Sequence, residues 1–109
     1  MGKQAFTGGV RRAGFNATWP FARLTLTDDG MKLRLLGFMH TRRDWSGVQS
    51  AQRVVGGLMG SPGVRITLAD GQRIVFWTFS VYAVLAAFQD HGVSVIDTGG
   101  RPPKVWLGT

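Results

Sequence analysis

The chain has 109 residues, with 13 Lys plus Arg against six Asp, no Glu and no Cys, for a formal net charge of +7. That length supports one domain burying roughly two thirds of its unfolded surface, and 44% hydrophobic residues is the content of a folding chain. The missing cysteine excludes disulfides, thiol nucleophiles and thiolate metal sites, while no apolar run approaches the ~20 residues of a membrane span.

The expectation is a soluble, cytoplasmic single domain over 1–97, with a flexible tail over 98–109. Residues 1–15 serve either as a flexible basic arm or as a first strand, since Phe6 and 10–15 carry some strand character. From Phe21 to Leu36, two alternating runs flank Asp29-Gly30, a pair suited to the positive φ angles of a two-residue hairpin turn. This turn predicts Leu26 opposite Leu33 and Leu24 opposite Leu35 on one face. Thr27 then faces Lys32, and Thr25 faces Arg34, on the other.

A short strand is expected near Phe38 to Arg42 and a longer one from Ser46 to Val55. The longer run carries one charge, Arg53, and is read as a weakly defended edge strand. Gly56 to Gly63 is a loop by composition. A second hairpin follows, with a three-residue loop Ala69-Asp70-Gly71 that sets Ile66 beside Ile74 and Val64 beside Phe76. Arg65, Thr67, Arg73, Val75 and Trp77 then share the outer face. Val81 to His91 is the convincing helix, because Val81, Val84, Leu85 and Phe88 form one apolar stripe. Ser80 is placed to cap its start, and Gly92 to end it in a left-handed conformation. The predicted core joins Leu24, Leu26, Leu33, Leu35, Ile66, Ile74, Phe76, Leu85 and Phe88.

Several antiparallel strands followed by one amphipathic helix is an order similar to that of the pleckstrin-homology-like superfold. The stretch Asn16 to Leu35 resembles the opening hairpin of small bacterial pleckstrin-homology-like and GRAM-like domains. Arg42-Arg-Asp-Trp-Ser-Gly-Val-Gln-Ser-Ala51 resembles their third strand, where a Trp and an aliphatic residue precede a kink. The resemblance spans about residues 16 to 93. It implies a half-open barrel of two antiparallel sheets capped by a helix, and it leaves function to loops and edges. It also implies a place to look for phosphate binding, since Arg23, Lys32 and Arg34 loosely match the basic positions of phosphoinositide-binding members. Here the intervening loop is short and carries Asp28 and Asp29, which repel phosphate.

Catalysis draws no support from two distant histidines and Asp residues that suit turns, and no cofactor or metal site is expected. The chain is therefore read as a non-catalytic interaction module, engaging another protein or a second copy of itself. Its candidate binding residues are Val48 on the edge strand, Val75 and Trp77 on the outer face, and the cations Arg42, Arg43, Arg65 and Arg73. Trp19 is assigned to the mouth of the core and Trp45 to the core. The alternative is a small basic nucleic-acid-binding protein, with Arg11, Arg12, Arg42, Arg43, Arg65 and Arg73 tracking phosphates and Trp77 stacking a base. An anionic membrane surface shares those electrostatics.

Overall fold

A computed structural model describes residues 3–12, 15–35, 39–56 and 60–97. Eight strands and one helix follow in order: β1 (Gln4–Arg12), β2 (Phe15–Thr27), β3 (Gly30–Leu35), β4 (Met39–Asp44), β5 (Val48–Gly56), β6 (Ser61–Leu68), β7 (Arg73–Trp77), α1 (Val81–Asp90) and β8 (Ser94–Ile96). A single 3-10 turn, Trp45–Gly47, joins β4 to β5. The early residues thus form a strand over Gln4–Arg12, while the predicted tail over 98–109 and Phe38 lie outside the described residues.

The sheet order is β4-β3-β2-β1-β7-β6-β5-β8. Two antiparallel meanders, β1 to β4 and β5 to β7, are joined where Gly9–Arg11 of β1 pair with Trp77–Val75 of β7. The pairing of β1 with β2 changes register between Gly8–Ala22 and Val10–Ala17, with the extra residues on β2, the kind of insertion that bends a strand. A Cβ on Gly8 would fall 2.1 Å from the Trp77 carbonyl oxygen, and one on Gly9 2.4 Å from that of Ala17. Glycine is what lets the backbones pass this closely. The result is the expected mainly β fold, but the two expected antiparallel sheets are one continuous sheet, open between β4 and β8, because the β1–β7 ladder joins its halves.

All nine predicted core residues are buried in one cluster drawn from both halves and the helix. Alternation explains this, since Leu24, Leu26, Leu33 and Leu35 point inward from β2 and β3, and Ile66, Ile74 and Phe76 from β6 and β7. Val81, Val84, Leu85 and Phe88 of α1 complete the cluster, as their spacing predicts, and α1 packs against β5, β6 and β8. Gly92 ends the helix with φ +84°. Ser80 contributes no side-chain cap; the Ser80 amide instead donates to the Thr78 hydroxyl at 3.0 Å.

The second hairpin has the predicted register, Ile66 with Ile74 and Val64 with Phe76, and Gly71 is left-handed at φ +94°. The first hairpin differs by two residues. Leu24 faces Leu33, Thr25 faces Lys32 and Thr27 faces Gly30, so Asp28-Asp29 form the turn and Gly30 opens β3. The Thr27 hydroxyl accepts from the Asp29 amide at 3.2 Å, a local bond that serves the turn at this position. Gly30 has a different task, since a Cβ there would lie 2.1 Å from the Arg43 carbonyl oxygen on β4.

Two more expectations are corrected. β5 is not an edge strand, because Ser94–Ile96 pair in parallel with Ser50–Gln52, and an Arg53–Asp97 ion pair of 2.6 Å continues the contact beyond them. The predicted loop before β6 is shorter than its composition implied. Ser61, Pro62 and Gly63 already pair with Gly56, Val55 and Val54, while 57–59 lie outside the described residues. Among the described residues no helix is long and apolar enough to cross a membrane.

Candidate interaction surfaces

The outer face of the β5–β7 half is shaped by one aromatic residue over glycine. Trp77 points outward from β7 between Gly9 on β1 and Gly63 on β6, its register partners. A Cβ on Gly63 would lie 2.8 Å from the indole, and one on Gly56 also 2.8 Å. The ring therefore lies across bare backbone, which replaces the missing side-chain cover of those strands. This leaves Trp77 half-buried, its indole N–H directed at the Asn16 side-chain oxygen at 3.4 Å.

Beside it opens a groove of about 460 Å³ lined by Trp19, Pro62, Trp77 and Phe79, with Arg11 and Asn16 as polar margins. Trp19 is 57% and Phe79 84% exposed. The assignment of Trp19 to the mouth of the core is thus corrected, since its indole is exposed and lines this groove. Phe79 carried no sequence signal, because it falls between β7 and α1, outside either periodicity.

The candidate binding residues are divided between places. Val75 lies on the Trp77 face, half-buried and paired with Arg65, while Arg73 is exposed opposite Thr67. Val48 does not belong there; it is 7% exposed and packs in the core, because the ladder turns it inward opposite Leu68. Arg43 shares the inward side of β4 with its partner Met31 and reaches Asp70 on the β6–β7 turn at 3.5 Å. Arg12 bonds Thr41 of β4 and Gln72 of the same turn. These two arginines tie one half of the molecule to the other. The Gln72 backbone N–H, reinforced by the Gln72 side chain and the Arg43 guanidinium, holds the Asp70 carboxyl below its ordinary value of 3.8.

Arg23, Lys32 and Arg34 do come together, on the outer face of β2 and β3, and Arg42 of β4 and Lys3 join them around a depression of about 610 Å³. Arg23 stands directly opposite Arg34, and Lys32 directly opposite Arg42. Asp29 and Asp44 border one end. The ion pairs among the described residues are Arg43–Asp70 and Arg53–Asp97, and neither involves these five cations.

Trp45 is structural. Its indole N–H donates to the Thr27 carbonyl at 2.8 Å, its ring stacks on His91 with centroids 4.5 Å apart, and its edge meets Phe88. His91 is thereby occupied, while His40 stands exposed on β4. Among the described residues no group of three or more His, Cys, Asp or Glu is placed to hold a metal ion.

No protein-family model matches the sequence, and no curated protein sequence does either. Among solved structures the chain is similar to one described as the Spt16D Pob3N heterodimer, with a TM-score of 0.66 at 12% identity. The match covers 100% of this chain and 61% of that one, so the chain spans about three fifths of the length of its structural neighbour. The likeness shows the fold, which is pleckstrin-homology-like: mostly strand, one helix near the C-terminus, and an open sheet.

Proposed function

We propose that the chain is a non-catalytic protein-interaction module whose groove around Trp77 takes an apolar segment of another protein. The observation that carries this reading is the convergence of Trp19, Trp77 and Phe79 on one groove, with Phe79 almost wholly exposed. Exposed aromatic surface of this kind is costly to leave in water and is enriched where proteins meet. Glycines at 56 and 63 seat the Trp77 ring, so the Trp77 wall of the groove is built by strands. The structural neighbour is described as a heterodimer, which supports an interaction role for this fold. The hairpin over Asn16 to Leu35 favours a GRAM-like branch of it. Strand addition at β5 is disfavoured, because β8 already occupies the middle of that edge, and a partner protein in the groove is preferred to self-association.

Selection from a random displayed peptide library tests this directly. Wild type is expected to enrich peptides bearing aromatic or branched aliphatic residues, with binding retained at high salt. Phe79→Asp is expected to abolish binding while leaving the melting curve unchanged, as Phe79 packs against little. Enrichment that is equal for wild type and Phe79→Asp would sink the reading.

A further inference from the structure

The cations of the other half need a separate explanation. Direct cross-strand neighbours with like charge destabilise a sheet, yet Arg23 faces Arg34 and Lys32 faces Arg42. Neighbouring strands lie ~4.8 Å apart and alternate residues ~6.8 Å along a strand. The four positions therefore form a tight lattice of positive charge, extended by Lys3 at the β1 side. No ion pair among the described residues relieves it. Phe21 lies two residues before Arg23 on the same outward face of β2 and is 51% exposed, so an aromatic ring adjoins the lattice.

We propose that the outer face of β2, β3 and β4 binds single-stranded nucleic acid, with Arg23, Lys32, Arg34 and Arg42 on successive phosphates and Phe21 stacking a base. A strand of phosphates is a regularly spaced polyanion, and its charge complements the excess of cations on this face. Pairing a cationic track with an aromatic platform is the general arrangement for binding single strands without sequence preference. The carboxylates Asp29 and Asp44 border one end of the depression, which directs the strand away from the β2–β3 turn and toward Phe21. This face is distinct from the groove at Trp77 and does not depend on it.

The test uses a fluorescent oligothymidylate, its RNA counterpart, a duplex, polyglutamate and anionic vesicles, with anisotropy or co-sedimentation as readout. Each contacted phosphate contributes about −0.7 to the slope of log affinity against log salt for single strands, so four contacts predict a slope of about −3. Lys32→Glu with Arg34→Glu should lower oligonucleotide affinity by about a hundredfold and halve the slope. The melting temperature should stay at or above wild type, since the exchange relieves like-charge contacts. Phe21→Ala should weaken binding about fivefold or more with the slope unchanged, the effect of one lost base stack. Similar affinity for the DNA and RNA single strands supports the proposal, because phosphates and base faces are common to both. Tighter binding to duplex, polyglutamate or vesicles than to either single strand would overturn it, as would charge reversals that leave oligonucleotide affinity intact.

Discussion

The two halves of this sheet share an inner face and differ on the outside. Inward, β2–β3 and β6–β7 present the same kind of side chain to one core. Outward, β2–β4 carry a lattice of cations that no ion pair among the described residues relieves, whereas β5–β7 carry an indole laid over glycines and a groove of exposed aromatics. Burial constrains the first face almost completely, because each inward polar residue would need a partner. Solvent tolerates nearly any residue on the second, so the contents of an outer face report use more than folding. The contrast locates candidate function on two surfaces of opposite chemistry.

The contrast collapses if the shared core fails. Phe88→Ala should cost about 3–5 kcal/mol through lost burial and a cavity, because the ring is fully buried beneath Trp45. Both outer faces should be lost together, seen as one cooperative urea transition at a lower midpoint. Next in size, Gly30→Val acts on one half. Its side chain meets the β4 backbone, and overpacking of this kind costs about 1–3 kcal/mol; amide exchange should rise in β3 and β4 before β6 and β7.

Gly63→Ala is the matching lesion on the other half, expected near 1 kcal/mol, the low end of the same range, because the obstacle includes the Trp77 ring as well as the Phe76 carbonyl. Indole emission should shift to the red as the ring leaves its seat, with little change in oligonucleotide binding. Arg34→Thr works in the opposite sense. Removing the cation opposite Arg23 should raise stability by about 0.2–1 kcal/mol, measured as a higher urea midpoint that converges on wild type in high salt.

The smallest effect concerns the tie between halves. The lowered folded-state value of Asp70 means that its contribution is complete above its unfolded value and fades as pH falls through the folded one. Asp70→Asn should thus be slightly less stable than wild type at neutral pH, and the two midpoints should merge well below pH 3.8. A constant difference at every pH would show that the Gln72 and Arg43 contacts do not act through charge.

The inner face was legible in the sequence for the same reason that it is uniform. Leu24 to Phe88 announced themselves by periods of two and 3.6, and the second hairpin gave its register through Gly71. The first hairpin shows the limit, for a slip of two residues returns every side chain to its own face. The pattern that predicts burial there cannot choose between Asp29-Gly30 and Asp28-Asp29. β8 has no signal in the sequence because Ser94–Ile96 is too short to show any period, and the environment of β5 depends on it. Val48 was misplaced because both alternating sets of β5 mix polar and apolar residues. Arg23, Lys32 and Arg34 were visible as a trio, but adding Arg42 requires the β3–β4 register, and the separation of Arg42 from Arg43 requires knowing which side of β4 is covered. The groove was half legible: Trp77 by its outward position, Phe79 not at all.

The seam between β1 and β7 also bears on how the molecule is made. As a chain emerges from the ribosome, β1 to β4 can zip up in order, each strand meeting the one just synthesised. The Gly9–Arg11 segment of β1 must then wait with one edge bare until Arg73–Trp77 arrives to complete it. Pairings this distant in sequence are slow to form because a long loop has to close before any contact rewards it. The topology accordingly predicts an order of events, with β1 to β4 pairing early and β7 closing the sheet late.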